Sequence, residues 1–332
     1  MLLFLAGIVD QLDLALEHIG KGDAHNARFG LMMTDNALEL VLHQTVKDKR
    51  SEAASWRYRE TPYPHGSKLR KAYLGSFTDK LDFAKVDAAM SAEQARTFNI
   101  MHDFRNEVYH AGLAHEAVLL GLARFYLAEA CTYIGTFNSG GIGWGSSQVM
   151  PDRAKKYFAG TQWITGTAED FPLACKAIAH ASEHDVGDLI AALADDFERI
   201  VEDTDLYLNI VAGGVYVGQQ TTRDEAVLKT QAWEALFDDE GPNFLRKRRF
   251  RGNTLEAIKV LEAEYPFPIR KDPIPGWRAS TRKLRASGDG HAALDRYYSW
   301  IKMTGPFRAS IEQSAAAAEA EIEAASDRMR GK

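Results

Sequence analysis

Apolar residues recur at three- and four-residue intervals from the start of this chain almost to its end, and no region is rich in the alternating pattern of strands. That periodicity sets the fold class as all-α. Leu5, Ile8, Leu12, Ala15, Leu16 and Ile19 predict one amphipathic helix over about residues 2–20. A longer helix over about 23–49 starts at Asp23 as N-cap, with Leu31, Leu38, Val41, Leu42 and Val46 as its inner face. The prolines and glycine of TPYPHG, residues 61–66, break the pattern before short helices near 67–75 and 76–89. Ser91-Ala92-Glu93-Gln94 has capping-box spacing and opens a helix carrying Phe98, Ile100, Met101 and Phe104. One more apolar helix covers about 113–137, so residues 1–137 read as an antiparallel bundle of four or five helices.

Residues 138–150 contain SGGIGWGSS and form the expected boundary. The stretch lacks the Gly-Lys-Ser/Thr ending of a P-loop, and it has neither a preceding strand nor the glycine order of a dinucleotide site. It reads as a linker rather than a phosphate cradle. Residues 151–332 form a second, mostly helical domain, with helices near 177–211, 223–238, 253–264, 290–304 and 306–329. The prolines at 266, 268, 273 and 275 mark an extended connection. A chain of 332 residues is long enough for two such domains.

Cys131 and Cys175 lie in apolar helical patterns and form no CxxC pair, which excludes a disulfide framework and fits a reducing cytoplasm. The opening MLLFLAGIV has no basic residue before its apolar run, and Asp10 and Asp13 interrupt it early. It is too short to span a bilayer, so no membrane association is expected. The net charge of −6 argues against bulk attraction to nucleic acid. Positive clusters at Lys47–Arg59, Lys68–Lys71, Arg246–Arg251 and Arg278–Arg285 still allow a local basic groove.

The chemistry concentrates in Arg105-Asn106-Glu107-Val108-Tyr109-His110. A permanent cation, an amide and a base that titrates near neutral pH fall within six residues of one helix, followed by Ala111 and Gly112. Asn106 and His110 share a helix face, which His102 continues one turn earlier. Arg105 sits roughly 140° from His110 around the axis, within reach of a common phosphate. In a purely structural role, Arg105 would pair with Glu39 or Asp103, Asn106 would tie helices together, and His110 would be a satisfied core histidine. Arg–x–His spacing of this kind also occurs at Arg59–His65, Arg96–His102 and Arg285–His291, so spacing alone decides little.

The stretch SFTDKLDFAKVDAAMSAEQARTFNIMHDFRNEVYHAG, residues 76–112, resembles the HEPN family (higher eukaryotes and prokaryotes nucleotide-binding domain), in which an Arg-x4–6-His motif follows a bundle helix. The resemblance covers about residues 1–137 and is most specific at 76–112. It implies that Arg105 and His110 are a catalytic pair supported by Asn106, and that the chain forms a homodimer with two motifs facing across a cleft. It implies metal-independent endoribonuclease activity on RNA, in a bacterial toxin or anti-phage defence system with an antitoxin or defence-system partner. No cofactor and no metal enter that chemistry. The alternative within the same family is a non-catalytic RNA-binding or assembly module. Ala111-Gly112 stands where one subgroup carries His-x-Tyr for modification by a nucleotidyltransferase, which argues against that mode of regulation.

Weaker candidates lie elsewhere. His180 and His184 have helical metal-ligand spacing but no third ligand, and read as structural or exposed. Arg246–Arg251, RKRRFR, is either a phosphate grip or a solvated loop. Trp56, Tyr58 and Tyr63 interleave with Arg57 and Arg59, a composition that stacks bases or packs a loop onto the bundle.

Overall fold

The computed structural model describes residues 2–55, 58, 61–87, 90–111, 115–138, 149–158, 169–216 and 218–330. Those residues hold fourteen helices and no strand. The chain divides into two compact units, one of residues 1–193 with 287–295, the other of 194–286 with 296–332.

The first unit begins with α1 (Leu2–Ile19) and α2 (Ala24–Ala53). The Asp23 side chain caps α2 by accepting the Asn26 N–H at 2.9 Å. Gly30 allows α1 and α2 to approach closely, because a Cβ there would run into the Ile19 side chain. The helix α2 is the hub, packing against α1, α3 (Gly66–Leu74), α4 (Phe77–Asp87), α5 (Ala92–Ala111) and α6 (Glu116–Ile134). At the start of α5 the capping box forms, with Gln94 N–H on Ser91 Oγ at 3.0 Å and Ser91 N–H on Gln94 Oε1 at 3.3 Å. By length and composition α6 could cross a membrane, yet here most of it is buried, including Leu119, Leu122, Phe125, Tyr126 and Ile134.

Residues beyond 150 also belong to this first unit. The short α7 (Asp152–Lys155) packs on α1, and α8 (Asp170–Ala181) packs on α1 and α6. A buried carboxylate explains the first contact: Asp13 on α1 is 3% exposed and receives Tyr157 at 2.6 Å, Arg153 at 3.1 Å and Lys156 at 2.5 Å. Burial pushes the Asp13 carboxyl up, but hydrogen bonds from Lys156, Tyr157 and Arg153 and the Lys156 charge outweigh it and hold it below its usual value.

The helix expected over 177–211 is two helices, α8 and α9 (Val186–Gly213). Polar side chains divert the backbone between them: Ser182 Oγ bonds the Ala179 carbonyl at 2.7 Å, and Asp185 accepts the Asp188 N–H at 3.0 Å. Glu183 takes a left-handed φ of 50° at the break. His180 and His184 therefore do not share a helix face.

In the second unit, α10 (Arg223–Phe237), α11 (Glu240–Lys247) and α12 (Thr254–Glu264) enclose a core containing Ala232, Leu245, Ile258 and Leu261. Capping boxes at Thr222 and Asn253 start α10 and α12. The proline-rich connection ends earlier than its sequence implies, because α13 (Ile274–Arg285) carries Pro275 in its first turn, where no N–H is needed. The helices expected over 290–304 and 306–329 are one, α14 (Gly290–Met329), which passes through Pro306. In the turn before that proline, Thr304 Oγ1 bonds the Trp300 carbonyl at 2.8 Å and Arg308 Nη2 bonds the Ile301 carbonyl at 3.3 Å. These bonds fall on the carbonyls one and two residues before that of Lys302, the one whose helix donor the proline removes.

Candidate functional site

The arrangement around the RNEVYH segment starts from a residue on another helix. Asp35 lies on the inner stripe of α2, between Leu31 and Leu38, and its side chain is fully buried. Burying a carboxylate is costly unless partners satisfy it. Tyr126 on α6 donates its hydroxyl to Asp35 Oδ1 at 2.7 Å. His102 Nδ1 approaches both oxygens, at 3.1 and 3.0 Å. Arg105 places Nε 3.4 Å from Oδ2. Burial, then the Asp35 charge, pushes the Tyr126 phenol well above its ordinary range, so Tyr126 remains a donor. The His102 ring stacks on Phe77, centroids 4.2 Å apart and planes within 7° of parallel.

The contact between Arg105 and this carboxylate is an ion pair only, because the buried Nε makes no hydrogen bond. Arg105 Nη1 donates to Asn106 Oδ1 at 2.8 Å, and its guanidinium carbon lies 5.8 Å from the centre of the Tyr109 ring. The structure therefore brings Arg105 and Asn106 into direct contact. Arg105 Nη2 makes no hydrogen bond among the described residues, and the side chain is 28% exposed, so part of the guanidinium faces outward. His110 is exposed in the last turn of α5, its ring edge-on to Tyr109 with centroids 5.2 Å apart. No hydrogen bond joins His110 to Arg105 or Asn106 among the described residues, so His110 is positioned by the helix rather than by a network.

The neighbours expected for these residues are redistributed. Glu39 pairs with Lys80 at 3.1 Å instead of with Arg105. Glu107 binds His115 at 2.6 Å, and His115 begins α6 with a left-handed φ of 60°. Gly112 lies outside the described residues, as do the glycine-rich stretch 139–147 and Trp56, Arg57 and Arg59. Tyr58 and Tyr63 meet edge to face, and the Tyr63 hydroxyl donates to Asp87, which is a packing role.

Part of the positive charge in the other clusters is paired. Arg278 binds Asp205 at 2.8 Å, and Arg285 binds Asp195 at 2.7 Å and Glu198 at 2.8 Å. In RKRRFR, Arg248 binds Glu264 at 2.6 Å and covers the Phe244 ring, while Phe250 packs on the second unit's core. Among the described residues, no group of three or more His, Cys, Asp or Glu side chains is placed to hold a metal ion.

Asp35, Tyr126 and Phe77 are the site residues that sequence reasoning missed. One signal was available: an aspartate at the stripe position four after Leu31 and three before Leu38 faces the core and needs a donor there. Comparison of the chain with protein-family models, with curated proteins and with solved structures finds no match in any of the three.

Proposed function

We propose that this chain is a HEPN-like, metal-independent endoribonuclease, acting as a cytoplasmic homodimer in a bacterial toxin or anti-phage defence system. The observation that supports the chemistry is the partly exposed Arg105 guanidinium, hydrogen-bonded to Asn106 and ion-paired with a buried carboxylate, about one and a half helical turns from an exposed histidine. In this reading neutral His110 removes the proton from a ribose 2′-OH, and the alkoxide attacks the adjacent phosphodiester. Arg105 donates hydrogen bonds to the phosphate as charge develops on its oxygens. Asn106 keeps the guanidinium turned toward the substrate. His110 of a second copy protonates the departing 5′ oxygen, leaving a 2′,3′-cyclic phosphate and a 5′-OH.

A second reading draws on the same geometry. Arg105 already contacts Asp35 and Asn106, contacts that also serve a non-catalytic RNA-binding or assembly module. Incubating total RNA in EDTA with wild type, Arg105→Ala and His110→Ala, followed by end-group analysis, separates the two. Cleavage by wild type alone, with cyclic phosphate ends, is the result expected of the nuclease. Binding of RNA by all three proteins with cleavage by none is the result expected of the module.

A further inference from the structure

A cavity of about 400 Å³ lies within the second unit, lined by α10, by α14 and by the end of α9 with the turn that follows it. That size lies within the range of small-molecule sites, roughly 300–1,000 Å³. On α10 the wall is Ala226, Lys229, Thr230 and Trp233, spaced so that all four share one helix face. Thr221 enters from the turn and Ser314 from α14. Gly214 starts that turn with a φ of 67°, and a Cβ there would sit 2.9 Å from the Gln219 carbonyl oxygen. The Tyr216 hydroxyl ties the turn to α14 by donating to Glu321 at 2.6 Å, and Arg328 pairs with the same carboxylate at 2.7 Å.

No carboxylate lines this space, and one ammonium does. Lys229 is exposed and forms no ion pair among the described residues. Glu225, one turn before it, accepts the Thr222 N–H at 2.8 Å in the α10 capping box, and Glu262 on α12 feels the Lys229 charge without pairing to it. Thr221, Thr230 and Ser314 each bring a hydroxyl that makes no hydrogen bond among the described residues. Thr230 is the telling case, being only 4% exposed. The buried Thr204, Thr281 and Thr304 of the same unit all bond the carbonyl four residues back. Among the described residues the fold seals five unbonded side-chain atoms from solvent, and Thr230 Oγ1 is not one of them, so it opens onto the cavity. A buried hydroxyl without a partner is costly, and the cavity is where a partner can come from. Trp233 is 38% exposed and stacks with Phe237, ring planes within 15° of parallel, so a flat apolar face lies one turn from the ammonium.

We propose that this cavity binds a small aromatic anion, whose carboxylate or phosphate accepts from Lys229 and Thr230 and whose ring packs on Trp233. An organic cation would meet Lys229 with no carboxylate on the walls to compensate. An inorganic anion would leave the indole unused. The proposal concerns binding only and does not depend on the RNA-cleavage reading.

Isothermal titration of the full chain with indole-3-acetate and with adenosine monophosphate tests it, using tryptamine, tryptophol and inorganic phosphate as controls at matched ionic strength. Tryptamine and tryptophol keep the indole ring but replace the negative charge with a positive one and with none. The expected result is saturable binding of at least one aromatic anion, with every control at least tenfold weaker. Lys229→Met weakens that affinity at least tenfold, about 1.4 kcal/mol. Lys259→Met, which removes an exposed lysine on α12 outside the cavity wall, leaves it unchanged. If Lys229→Met fails to fold, as read by circular dichroism, Ala318→Leu intrudes on the cavity from α14 and is expected to abolish binding in its place. No binding of either anion, tryptamine binding as tight as indole-3-acetate, equal losses in Lys229→Met and Lys259→Met, or affinity unchanged by the folded cavity variant would each overturn the proposal.

Discussion

Arg105 Nε lies 3.4 Å from Oδ2 of Asp35, a carboxylate wholly enclosed between α2, α5 and α6. The pair joins the surface segment that carries the proposed chemistry to the centre of the bundle. Asp35 also takes the Tyr126 hydroxyl and the His102 ring, so three side chains from two helices share one buried charge. Such a network specifies geometry when complete and is costly when broken.

Removing the Tyr126 hydroxyl leaves the shape of the core intact but takes a donor from the carboxylate. Tyr126→Phe is expected to cost about 1.5–3 kcal/mol, the worth of a hydrogen bond to a charged group. Urea denaturation measures it. Combined with Asp35→Asn, the loss is expected to fall short of the sum, since both substitutions break one interaction. Strict additivity would contradict the contact.

Arg105 and His110 are expected to separate in stability. His110 is exposed and free of hydrogen bonds to the motif, so His110→Ala changes stability by less than about 0.5 kcal/mol. Arg105→Ala strips a cation from a buried carboxylate while being itself partly exposed. Its cost is expected between the roughly 1 kcal/mol ceiling of an exposed pair and the roughly 3 kcal/mol floor for breaking a buried one. Equal destabilisation by the two variants in a denaturant titration would contradict this geometry.

Acid should loosen the contact between α1 and α7. The Asp13 carboxyl is held below its ordinary 3.8 in the folded chain. On acidification the unfolded chain therefore takes up this proton first. The stabilisation is complete above about pH 3.8 and is lost as pH falls through the lower folded value. Asp13→Asn is expected to flatten the acid limb of stability against pH while lowering stability at neutral pH. An unchanged acid limb would show that Asp13 is not the responsible group.

Pro306 is exposed inside the 40-residue α14 and cannot donate to the helix ladder. Pro306→Ala restores that donor and removes the ring's clash with the preceding turn. A gain of about 1–3 kcal/mol is expected, since proline in a helix interior costs about 3 kcal/mol relative to alanine. A loss on thermal unfolding would mean that the helix depends on the bend the proline makes.

The helical class and several boundaries were legible because they are local. Asp23 and the Ser91–Gln94 box bond to backbone within their own turns, so short sequence patterns contain them. The break at Ser182–Asp185 was hidden because apolar spacing continues across it while two short polar side chains redirect the backbone. Pro306 misled in the opposite direction, since α14 continues through it while the expected helix stopped at 304. At the site, Arg105, Asn106 and His110 were readable from one helix. Asp35 was not, because its partners on α5 and α6 lie 67 to 91 residues away. Only packing brings them together.

The most direct measurement uses an RNA oligonucleotide that wild-type protein cuts at one mapped position in EDTA, compared with the same oligonucleotide bearing a single 2′-deoxy substitution 5′ to that bond. Attack by the 2′-OH, with His110 as base, predicts cleavage of the first to a 2′,3′-cyclic phosphate and none of the second at that bond. Cleavage of the deoxy-substituted bond, or equal cleavage by His110→Ala, would contradict the account.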